Sequence, residues 1–189
     1  MTKKKILLSF LIFIISYVFF LLLWLQVKDV YGNAITRIAS NMVSFVKEVE
    51  FKGLDKEKDK VKAVFIYRGE KWWKIDVEFK YNGIYAINIP LTLAIMGGLF
   101  LFIKRRRRAC MEAVFILFLS HVLYVFIAGV SDLSSVMVYE GFKKANGLNH
   151  PGLWKPLLIF IEWMVLWFSP FLIGAYLYLR FSDYKSPLF

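Results

Sequence analysis

Apolar residues along this chain gather into four long runs, and the polar stretch between the first two changes its repeat along the way. The runs cover Ile6 to Leu25, Ile87 to Ile103, Cys110 to Val130 and Leu157 to Leu179. Each holds roughly 17–23 residues, against the ~20 needed to cross a hydrocarbon core of ~30 Å. The pattern predicts an integral membrane α-helical protein with four transmembrane helices. Its divisions are a signal-anchor helix at 1–25, a domain at 26–86 and a second span at 87–103. A basic loop at 104–109, a third span at 110–130, a loop at 131–156, a fourth span at 157–179 and a tail at 180–189 follow. The first run has lysines before it, as a signal peptide would, but it is too long for one. Leu23-Trp24-Leu25-Gln26 also lacks the small residues of a cleavage site, so the run reads as a retained anchor.

Within 26–86 the period moves from 3.6 to 2. Val30, Ala34, Ile35, Ile38, Met42 and Val46 recur at helical spacing, with Lys28, Arg37 and Lys47 on other faces. This predicts an amphipathic helix running on from the first span, with Gly32 a place for a bend. Strict alternation follows in Trp73, Ile75, Val77, Phe79 and Tyr81, and likewise in Val61, Ala63, Phe65 and Tyr67. Alternation marks half-buried antiparallel strands. Arg68-Gly69-Glu70 supplies a hairpin turn, Val49 to Lys52 a third short strand, and Asp55 to Lys60 an exposed charged loop. The expected result is a small extracytoplasmic α+β domain, a two- to three-stranded sheet covered by the amphipathic helix. In the later loop, Ser131 or Asp132 is positioned to cap a short helix carrying Leu133, Val136, Met137 and Phe142, ended by Gly147. His150-Pro151-Gly152 then turns the chain into the last span.

Composition agrees with a membrane protein: 59% hydrophobic, 19% aromatic, mean hydropathy +0.56. The net charge of +11 would suggest nucleic acid in a soluble chain. Here it is gathered at the ends of apolar runs and has no basic-aromatic RNA motif beside it, so no nucleic-acid partner is expected. Lys3-Lys4-Lys5 precede the first run, Lys104, Arg105, Arg106, Arg107 and Arg108 separate the second from the third, and Arg180 follows the fourth. Cations beside a span hold their side in the cytoplasm. With four spans all three clusters share that side, placing both termini in the cytoplasm, the 26–86 domain outside, and the chain in the cytoplasmic (inner) membrane.

Few residues are suited to chemistry. The single cysteine, Cys110, excludes an intramolecular disulfide and any multi-cysteine metal site. HExxH, GxSxG, Walker A and CxxC are all lacking from the sequence, and no cofactor or metal is expected. His121 and Glu162 are ionisable groups at membrane depth. At ~1.5 Å per residue they lie ~17 and ~22 Å from the inner edge of the core, close enough in depth to form an intramembrane polar pair. Such groups are costly in lipid and face the bundle interior. The pair reads either as an interhelical contact or as a proton relay. Cys110 and His121 are ~16 Å apart on one helix, too far to act as nucleophile and base. Glu112 is placed to pair with the basic block, and His150 to lie in solvent.

Two stretches carry a likeness to a known family. They are NGIYAINIPLTLAI (Asn82 to Ile95), entering the second run, and Glu162-Trp163 with PFLIGAYLYLRF, ending at Phe181. In these patches, and in its layout over most of its length, the chain resembles the small exosortase-H-associated membrane proteins, which are encoded beside an exosortase. Exosortases are multi-span enzymes thought to process proteins bearing a C-terminal sorting signal. This chain has too few spans and lacks their motifs. The resemblance therefore implies a non-catalytic accessory protein with membrane lipid and a larger, exosortase-like membrane protein as partners, and carries over no catalytic residue. Two alternatives stay open: a membrane enzyme or proton-coupled component using His121 and Glu162, and a structural subunit of a respiratory or transport complex.

Overall fold

The computed structural model describes residues 3–57, 60–68, 72–79, 85–141 and 150–182. Helix α1 (Lys3–Lys47) leads into strands β1 (Glu50–Glu57), β2 (Lys60–Arg68) and β3 (Trp72–Phe79). Helices α2 (Tyr85–Leu99), α3 (Arg106–Tyr139) and α4 (Pro151–Trp163) come next, then a π-helical segment (Met164–Phe168) and α5 (Ser169–Phe181).

The expected four-span architecture is corrected here. Of the five α-helices among the described residues, two are long and apolar enough to cross a membrane, α1 and α3, which points to membrane association. The second expected span holds α2, whose fifteen residues extend about 22 Å, short of a ~30 Å core. Gly97 and Gly98 lie at its end, and turn bonds from Phe100 N–H to Gly97 O and from Phe102 N–H to Leu99 O close it. The fourth expected span is divided into α4 and α5, of thirteen residues each. Pro170 accounts for the division: it has no N–H to donate and its ring crowds the carbonyl one turn back. The backbone takes up the mismatch as a π-helical turn just upstream.

Two further expectations change in the same way. The separate short helix after Ser131 does not form; α3 continues through Ser131 and Asp132 to Tyr139. Leu133 and Met137 are buried on it, and the Ser134 and Ser135 hydroxyls donate to the Val130 and Ser131 carbonyls of the same helix. Residues 142–149, where the rest of that prediction falls, lie outside the described residues. The charged stretch read as a loop is mostly strand: Asp55, Lys56 and Glu57 belong to β1 and Lys60 opens β2. The turn at 69–71 also lies outside the described residues.

The chain divides into two compact units. The first comprises 1–28, 84–119 and 166–189. Its interior is built from Met96, Ile103, Ala109, Ala113, Leu117, Ile173, Leu177 and Phe181. On the face of α1, Ser9 Oγ donates to Gly98 O at 2.6 Å. A Cβ on Gly97 would sit 2.5 Å from Ser16 Oγ, and one on Gly98 would sit 3.2 Å from Phe13 Cβ. Small residues thus let the two helix backbones approach, the packing mode that replaces hydrophobic drive inside a bilayer.

The second unit comprises 29–83 and 120–165. Its sheet is antiparallel in the order β1-β2-β3, with Phe65 opposite both Phe51 and Ile75 and Ala63 opposite Leu54 and Val77. A bulge at Lys52 shifts the β1 register, and Gly53, at φ 153°, takes the conformation this requires. Val61, Ala63, Phe65, Ile75 and Val77 fill the inner face, on the alternation read from sequence. Helix α1 ends where Glu48 adopts φ 56° and Val49 N–H reaches Ser44 O at 3.1 Å, a helix stop through a left-handed residue. The buried face of α1 in this unit is Ile35, Thr36, Ala39, Ser40, Val43 and Lys47. The residues chosen by periodicity, Val30, Ala34, Ile38 and Met42, are exposed; only Ile35 of that set is buried.

Candidate functional site

His121 is fully buried within the second unit. Its Nδ1 shares a hydrogen bond of 2.9 Å with the Tyr31 hydroxyl, and the two rings meet edge to face at 5.9 Å. The contact ties α1 to α3. Glu162, on α4, is half-buried. Of the two residues singled out at membrane depth, His121 on α3 meets α1 through Tyr31, and Glu162 lies on α4. Tyr31 carries no signal that separates it from other aromatic residues of the chain, so sequence reasoning missed it.

A second polar cluster lies in the first unit. Glu112, the one described acid there, receives Arg108 Nε at 3.0 Å, the Tyr176 hydroxyl at 2.9 Å and Arg180 Nη2 at 3.4 Å. Arg180 also bonds the Tyr176 hydroxyl. The expected pairing of Glu112 with the basic block is present, and it extends to α5. Backbone contacts join the same elements: Lys104 N–H donates to Phe181 O at 2.7 Å, and Ile103 bridges to Ser182.

The basic block forms the turn into α3. Lys104 to Arg108 are all exposed. Arg105 has φ 52°, and the Arg106 guanidinium lies 4.3 Å from the centre of the exposed Phe100 ring. Cys110 is a free, exposed thiol. His150 is exposed and serves as the N-cap of α4, its Nδ1 accepting from Gly152 N–H at 3.1 Å. Lys47 is buried and stands over the Trp154 ring at 5.5 Å, although helical periodicity sets it on a different face from the apolar residues. An open groove of about 320 Å³ is lined by Asn33, Ala34, Arg37, Leu54 and Val61. Among the described residues no group of three or more His, Cys, Asp or Glu is arranged to hold a metal.

Comparison with family models, with curated proteins and with solved structures gives no match.

Proposed function

We propose that this chain is a non-catalytic accessory protein of a membrane complex, held against a larger membrane protein. One observation carries the reading. Large apolar side chains are exposed on the part of α1 that belongs to the second unit: Val30, Ile38, Met42 and Phe45. They lie beyond the apolar run of Ile6 to Leu25, which by itself extends about 30 Å and matches the hydrocarbon core of a bilayer. These further apolar side chains are surface for another protein. The polar side chains act in the same sense, because His121 and Glu112 join helices to one another.

The setting is an envelope system that sorts or processes surface proteins; the sequence resemblance to exosortase-associated proteins supports it. In this reading the basic end of the first unit faces the cytoplasm, as the positive-inside preference requires. The sheet, which follows the opposite end of α1, is extracytoplasmic.

Affinity purification of the full chain from native membranes tests the proposal. The expected result is a larger multi-span membrane protein recovered in constant ratio to the chain. A chain that purifies alone and sustains an activity by itself would overturn it. The variant His121→Asn with Glu162→Gln separates the remaining alternative. Amides still hydrogen-bond but do not titrate near neutral pH, so an accessory role predicts normal assembly and normal processing. Normal assembly with processing abolished would make the chain a proton-coupled or catalytic component instead.

A further inference from the structure

The charge of the molecule is distributed unevenly between its two units. The sequence segments of the first unit contain eleven lysines and arginines against two acids, a net +9 out of the chain's +11. Nine of these cations, Lys3 to Lys5, Lys104 to Arg108 and Arg180, belong to one end of that unit. Several contacts establish the grouping. Ser9, one turn after Lys5, bonds Gly98, which leads directly into the basic turn. Lys104 N–H bonds Phe181 O, and Arg180 reaches Glu112.

Glu112 is engaged by Arg108, Arg180 and Tyr176, and its single negative charge leaves the other cations unbalanced. Arg105 and Arg107 are exposed and meet no acid among the described residues. Arg106 lies over a phenyl ring, an aromatic contact that holds its position and leaves its charge in place. Like charges this close repel, and the repulsion is relieved by anions at the same surface. The surface beside them identifies the source of those anions. Ile6, Leu7 and Phe10 on α1, Phe100 in the turn, Met111 and Phe115 on α3 and Leu179 on α5 are all exposed and apolar. Cations bordering a band of exposed hydrocarbon fit a molecule with a phosphate at one end and acyl chains at the other. A free phosphate would use the cations and leave the band uncovered.

We propose that the basic end of the first unit is a recognition surface for anionic phospholipid, with Arg105, Arg106 and Arg107 meeting the headgroup phosphate and the adjoining apolar residues meeting the acyl chains. It requires membrane association and is independent of the accessory role. Basic residues near an anionic membrane surface contribute about 1 kcal/mol each, or roughly five-fold in affinity.

The test is a titration of the full chain, purified in neutral detergent, with phosphatidylglycerol, phosphatidylcholine or inorganic phosphate, with bound lipid counted by native mass spectrometry. Phosphatidylglycerol should bind at least ten-fold more tightly than phosphatidylcholine. Arg105→Gln with Arg107→Gln should reduce that preference by roughly twenty-five-fold or to nothing. Both positions are exposed, so the variant is expected to fold, and its melting curve in detergent checks this. Lys28→Gln with Arg37→Gln removes the same charge away from the basic end and should leave the preference intact. Equal binding of the two lipids would overturn the proposal. So would equal loss in both double variants, which would mean that net charge alone acts. Displacement of the lipid by millimolar phosphate would transfer the site to the free anion and overturn the lipid assignment.

Discussion

At Glu50 two cations share one carboxylate. Lys52 and Arg68 both hydrogen-bond to it, and these bonds hold the carboxyl below the ordinary glutamate range. A depressed value means that in the acid range the unfolded chain binds the proton that the folded one refuses. Stability from this group is therefore complete above the unfolded value of about 4.3 and is lost as pH falls through the lower folded one. Thermal unfolding followed through the sheet should show a midpoint that drops with acid in that window, and Glu50→Gln should flatten that part of the slope. A second residue-scale prediction concerns Tyr31 and His121. Tyr31→Phe removes the hydroxyl from a buried imidazole, and a double-mutant cycle with His121→Leu should return a coupling of about 1 kcal/mol, the scale of interhelical polar contacts. A coupling near zero would mean the hydrogen bond contributes nothing. At this scale sequence reading found the costly residues and missed their companions. His121 and Glu162 stand out because ionisable groups are rare in apolar runs, and Glu112 because it adjoins the basic block. Tyr31 and Tyr176 do not, since aromatic residues make up 19% of the chain.

Among the elements, the contact of α1 with α2 rests on missing side chains. A Cβ at position 97 would fall 2.5 Å from Ser16 Oγ and 3.0 Å from Ser16 Cβ. Gly97→Ala should therefore destabilise by about 1–3 kcal/mol, the usual cost of overpacking. Combining it with Ser16→Gly should recover part of that loss despite the weaker helix propensity of the new glycine. Melting curves in detergent for the two single variants and the double one provide the check; additive losses would place the two residues apart. The strands were the most legible elements, because a period of two leaves little choice of face: Ala63, Phe65, Ile75 and Val77 are buried as their alternation required. Helix α1 was legible in extent and misread in orientation. Both of its faces carry apolar residues at helical spacing, so periodicity could not say which face is covered. Burial went to Ile35, Ala39 and Val43, with Thr36 and Ser40 among them. The ends of the apolar runs were the least legible. Gly97, Gly98 and Pro170 set where helices stop or change pitch, and a hydrophobicity count does not register them.

For the molecule as a whole, α1 and α3 predict that the protein stays with the membrane fraction after alkaline carbonate washing and is released only by detergent. Appearance in the soluble fraction would remove the basis for membrane association. None of the most apolar stretch of α1 is buried within the structure, so that stretch needs an apolar surrounding from outside the chain.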